Sequence, residues 1–60
     1  MRVFTLNELM ILTRAQLFAL HSEIAALLYD LPEGSEEYLT VLTNLRNIRC
    51  VLARRQHAPS

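Results

Sequence analysis

The segment from Arg14 to Leu31 constrains the fold most, because a helix formed there is apolar on more than one side. It contains no glycine or proline, and leucine and alanine, two strong helix formers, dominate it. One apolar stripe comprises Leu17, Leu20, Ile24, Leu27, Leu28 and Leu31. A second stripe, more than a quarter-turn away, comprises Ile11, Ala15, Phe18, Ala25 and Tyr29. Such a helix needs burial on more than one side.

The connection that follows this segment is Leu31-Pro32-Glu33-Gly34-Ser35. Proline and glycine together stop a helix and turn the chain. Ser35 is a good N-cap, and the two glutamates after it suit the first turn of a new helix. We predict that the last helix runs over about 36–55, and that 56–60 form a frayed tail. A connection this short is typical of antiparallel neighbouring helices.

Two capping boxes stand near the N-terminus, one from Thr5 to Glu8 and one from Thr13 to Gln16. They predict a short helix over about 6–12 and a second helix over about 14–30, with a break or kink between them. A helix that continues without a break is the alternative, because threonine is tolerated inside helices.

The last predicted helix is amphipathic, with apolar residues spaced alternately three and four apart. Its apolar seam comprises Tyr38, Val41, Leu45, Ile48 and Leu52. The opposite face comprises Thr40, Thr43, Asn44, Asn47 and Arg54, and we expect this face to contact water.

The chain has sixty residues, which allows one domain with a marginal core. One cysteine excludes an intramolecular disulfide, and the spacing of the histidines and the cysteine fits no zinc site, so we expect no cofactor. The remaining stabiliser is a partner chain. We therefore predict an all-α fold, an antiparallel helical hairpin with a short N-terminal helix or helical extension, which dimerises into a four-helix bundle. The predicted dimer interface is the second stripe, Ile11, Ala15, Phe18, Ala25 and Tyr29.

The charges balance, with six acidic residues and six arginines. A neutral chain is not typical of a dedicated nucleic-acid binder, so nucleic acid is not the favoured partner. The C-terminal arginines nevertheless form one charge cluster, and the candidate nucleic-acid contacts in it are Arg46, Arg54 and Arg55. The alternative is a solvated face with ion pairs to Glu8 or Glu23.

Two side chains of reactive types, His21 and Cys50, have simpler structural interpretations. His21 is a candidate metal ligand or base, but no second ligand lies three or four residues away, which favours a histidine at the edge of the core. Cys50 lies near several arginines in the sequence, which allows a redox role, but a small surface residue is the simpler interpretation. We therefore expect a non-enzyme, a homodimeric helical interaction module or small regulator with a protein partner. A nucleic-acid-binding regulator is the alternative.

Membrane insertion is not expected. The charge-free stretch from Ala15 to Ser22 has eight residues, whereas a spanning helix needs about 20. The N-terminus lacks the pattern of a signal peptide, and a single cysteine suits a reducing compartment, so we predict a cytoplasmic protein.

The segments 12–17, 31–35 and 45–55 together resemble a family of short helical proteins of unknown function, from proteobacterial plasmids and mobile elements. The resemblance implies an accessory role in a mobile element. It implies no activity and no site residues.

Overall fold

A computed structural model describes residues 1–56. This part of the chain forms three helices and no strand: α1 (Leu6–Met10), α2 (Arg14–Leu27) and α3 (Glu36–Gln56). The all-α prediction is therefore confirmed. Gln56 belongs to α3 rather than to the predicted tail, and 57–60 lie outside the described residues.

Each of the first two helices begins at a capping box, as predicted. The Thr5 hydroxyl accepts from the Glu8 N–H at 3.1 Å, and the Glu8 carboxylate accepts from the Thr5 N–H at 3.0 Å. The same reciprocal pair joins Thr13 and Gln16, at 3.1 and 2.9 Å. The Thr13 backbone is extended, with φ −70° and ψ 163°, so the chain leaves the helical conformation there and the alternative of one continuous helix is wrong.

Both of these helices end earlier than predicted, α1 at Met10 rather than about Leu12 and α2 at Leu27 rather than about Asp30. After each end the N–H groups bond to carbonyls three residues back instead of four. This tighter turn is common at helix ends and is missed by a count of apolar residues. Pro32 prevents the chain from continuing as a helix past Leu31, since a proline disfavours helical conformation in the residue before it.

The connection to α3 turns at Gly34, whose φ of +82° is a conformation that glycine adopts without strain. Ser35 then begins α3, because its hydroxyl accepts from the Tyr38 N–H at 3.2 Å. The chain is thereby redirected so that α3 packs against α2. Helix α1 packs against α3 as well.

The core is built mainly by α3, which provides five of its eight buried apolar side chains. The buried set is Leu9 from α1, Leu17 and Ile24 from α2, and Val41, Leu45, Ile48, Val51 and Leu52 from α3. Helix α3 therefore lies between α1 and α2 and uses more of its circumference than the predicted seam.

Two asparagines of α3 form hydrogen bonds with the N-terminal segment that precedes α1. Asn44 is fully buried; its Oδ1 accepts from the Phe4 N–H at 2.7 Å and its Nδ2 donates to the Arg2 carbonyl at 2.9 Å. Asn47, half-buried, donates to the Phe4 carbonyl at 3.1 Å. The prediction that Asn44 contacts water is therefore wrong, because the N-terminal segment covers this side of α3.

Candidate functional site

The outward surface of α2 is the part of the structure where large apolar side chains are most exposed. Of the five predicted interface residues, Tyr29 is 91% exposed, Ile11 83% and Phe18 50%, and Ala15 is exposed too. Ala25 differs, since it is half-buried and packs against the core. The core covers Leu17 and Ile24 of the first stripe, whereas Leu27 of that stripe is 40% exposed, and the second stripe stays in solvent except at Ala25.

A shallow groove runs along this surface and extends to the first turn of α3. Its lining is mainly small and aromatic: Phe18, His21, Ser22, Ala25, Ala26, Leu28, Tyr29 and Tyr38. Small residues between aromatic ones allow another helix to approach closely. The groove is therefore suited to a helical partner rather than to a small polar ligand.

Arg14 lies at the start of this surface, with its guanidinium carbon 5.5 Å from the centre of the Phe18 ring. This is a cation–π distance, and it holds the arginine over one face of the aromatic ring. A partner that covers Phe18 therefore meets a positive charge at the same place.

The two residues of reactive types, His21 and Cys50, lie apart. His21 is half-buried at the edge of the groove, whereas the free thiol of Cys50 is exposed on α3. Within residues 1–56 no three histidine, cysteine, aspartate or glutamate residues come close enough to hold a metal ion.

The structure separates the three candidate nucleic-acid contacts. Arg46 and Arg54 are exposed, whereas Arg55 is half-buried and donates to the Met10 carbonyl at 2.7 Å. Arg55 thus holds the C-terminal end of α1 beside the last turns of α3. Arg46 also lines a shallow surface with Arg49, Cys50 and Ala53 on one side of α3.

The ion pairs expected between these arginines and Glu8 or Glu23 are not formed, whereas Arg46 and Arg54 are exposed, as expected of a solvated face. Glu8 pairs with Arg2 instead, through two hydrogen bonds, one of them 2.8 Å long. The Arg2 hydrogen bond, together with the bond from the Thr5 N–H, lowers the pKa of Glu8 from 4.5 to about 2. In the described part of the chain this is the one ion pair within 4.0 Å, so the exposed arginines of α3 have no acidic partner there.

Sequence analysis missed two exposed leucines on α3, Leu39 and Leu42. Leu42 follows the buried Val41 directly, yet it is 40% exposed. A signal was present, since Leu42 lies four residues after Tyr38 and therefore on the same side of the helix as that lining residue. The apolar surface thus continues from α2 to α3.

No helix among the described residues is long and apolar enough to cross a membrane. No family model, curated protein or solved structure matches the chain. The resemblance to a plasmid-associated family therefore stays a prediction.

Proposed function

We propose that the chain is a non-enzymatic interaction module in which two helical hairpins cover each other's α2 surface and form a four-helix bundle. The observation that supports this most directly is the exposure of Phe18 and Tyr29, which line the same groove, with the exposed Ile11 just before α2. Contiguous apolar surface of this kind marks an interaction site. A two-fold dimer is the commonest assembly that buries such a surface.

One copy has a small core for a chain of this length. Eight apolar side chains are buried, and sixty-residue domains are marginally stable. Burying one large apolar side chain contributes about 1.5–3 kcal/mol. In the dimer both copies bury these exposed side chains, and this burial adds the free energy of stabilisation that the single copy lacks.

A catalytic role is not part of the proposal. The groove is open, and His21 is the one histidine in its lining. The proposal includes a cytoplasmic location, which the free thiol of Cys50 favours. From the family resemblance it takes an accessory role in a mobile element.

Sedimentation equilibrium at micromolar concentration tests the dimer. We expect the natural sequence to sediment as a dimer, and Phe18→Gln to sediment mainly as a monomer that melts at a lower temperature. Leu27→Gln is the matched control, since Leu27 is 40% exposed and lies nine residues from Phe18, on the opposite side of α2. A natural protein that is monomeric and melts cooperatively contradicts the proposal.

The second candidate, a nucleic-acid-binding regulator, is supported by the exposure of Arg46 and Arg54 without an acidic partner in residues 1–56. Fluorescence anisotropy with a labelled DNA duplex and a labelled RNA hairpin tests it across salt concentrations. Binding through these side chains weakens with salt and in Arg46→Ala and Arg54→Ala. Thr43→Ala is the control, because Thr43 is an exposed and uncharged residue of the same helix. Lack of binding at low salt excludes this function.

A further inference from the structure

We propose that the two copies pair α2 against α2 in antiparallel orientation, about a two-fold axis that passes beside Ser22. This inference rests on the proposed dimer and adds its orientation and register. Two separate properties of the described residues support it, the order of large and small side chains along α2 and the distribution of charge between the ends of the molecule.

The side chains along the outward surface of α2 are complementary to themselves when the helix is reversed. Phe18 lies four residues before Ser22 and Ala26 four after it, while Ala15 and Tyr29 are each seven residues away. A two-fold axis at Ser22 therefore places each aromatic ring opposite an alanine of the second copy. A small residue at the axis lets the helices approach closely. A parallel pair in register places Phe18 on Phe18 and Tyr29 on Tyr29, and these rings hold the alanines apart.

The charges are separated along the molecule. The bond from Arg55 to the Met10 carbonyl brings the junction of α1 and α2, and with it the exposed Arg14, beside the C-terminal end of α3. That end also carries the exposed Arg49 and Arg54. The exposed acidic residues of the other end, around the connection, are Asp30, Glu33, Glu36 and Glu37. Antiparallel pairing brings the basic end of one copy to the acidic end of the other, whereas parallel pairing places like charges together.

Disulfide trapping with single-cysteine copies tests the orientation. Cys50→Ser removes the natural thiol, which is exposed, and A15C or Y29C then introduces a thiol at one position. One of the two copies carries a tag so that mixed and identical pairs separate by mass. Under mild oxidation we expect A15C mixed with Y29C to give mainly the mixed covalent dimer, because a disulfide forms only between neighbouring Cβ atoms. The control is A15C mixed with E23C, whose thiols lie apart in this arrangement.

The possible outcomes separate this inference from the proposed function. A natural protein that sediments as a monomer overturns both. A dimer in which A15C crosslinks mainly to itself overturns the antiparallel orientation and leaves the dimer standing. A dimer in which the A15C and Y29C mixture gives no more crosslinking than the control overturns the α2 contact itself. Dominant mixed crosslinking supports the inference.

Discussion

Asn44 and Phe4 are forty residues apart in sequence, yet the buried Asn44 side chain accepts a hydrogen bond from the Phe4 N–H at 2.7 Å. The same amide donates to the Arg2 carbonyl, so one side chain satisfies two backbone groups of the N-terminal segment. All three bonds from Asn44 and Asn47 reach the backbone. The segment is therefore held through its backbone, and the half-buried Phe4 side chain packs against the core.

Replacing Asn44 by alanine is expected to lower the free energy of unfolding by about 1–3 kcal/mol, because two backbone groups lose their partner. Urea denaturation followed by circular dichroism measures this loss. Asn47→Ala is the control, since Asn47 is half-buried and makes a single bond, and its loss should be smaller. Equal losses would show that the buried amide has no special role.

Stability should fall as the pH is lowered from 4.5 to about 2, because the pKa of Glu8 is lowered to about 2 by Arg2 and the Thr5 N–H. A group whose pKa is lower in the folded state stabilises the fold above its ordinary pKa and loses that contribution on protonation. Urea midpoints across this pH range measure the slope. In Glu8→Gln the amide still accepts from the Thr5 N–H, so the slope should shrink while α1 stays capped. An unchanged slope would assign the acid sensitivity to other carboxylates.

Thr13→Ala removes the acceptor for the Gln16 N–H and should cost about 1 kcal/mol of stability, a typical value for an N-cap. Thr43→Ala is the matched control. Thr43 is exposed inside α3 and its hydroxyl bonds back to the Leu39 carbonyl, so alanine, the better helix former, should be neutral or slightly stabilising. If the midpoint temperature of thermal unfolding changes equally in both variants, Thr13 is not acting as a cap.

Gly34→Ala should destabilise the chain by about 1–2 kcal/mol, because φ at this position is +82° and an alanine Cβ disfavours that conformation. No atom lies within 4 Å of the added Cβ, so the loss comes from the backbone alone. Gly34→Asn should lose less, since asparagine tolerates positive φ better. The two midpoints in urea give the comparison, and an alanine variant as stable as the natural chain would contradict it.

The local features were accessible from sequence because their partners lie within a few residues. Thr5 with Glu8, and Thr13 with Gln16, form bonds that span three positions, and Pro32 and Gly34 act on their own backbone. The candidate site was also accessible in part, since helical periodicity placed Phe18 and Tyr29 on a different side from Leu17 and Ile24. Periodicity assigns a residue to a side of a helix, but it does not say which side another element covers.

The sequence by itself determined where α1, α2 and α3 begin and that α2 has two apolar sides, because capping and periodicity are short-range properties of the chain. The tertiary structure alone decided that α3 lies between α1 and α2, that Asn44 is buried, and that Arg55 bonds to the Met10 carbonyl rather than remaining free. The hydrogen bonds of Asn44 and Arg55 join residues forty or more positions apart. Such contacts depend on how the helices pack, and no pattern within a single helix encodes them.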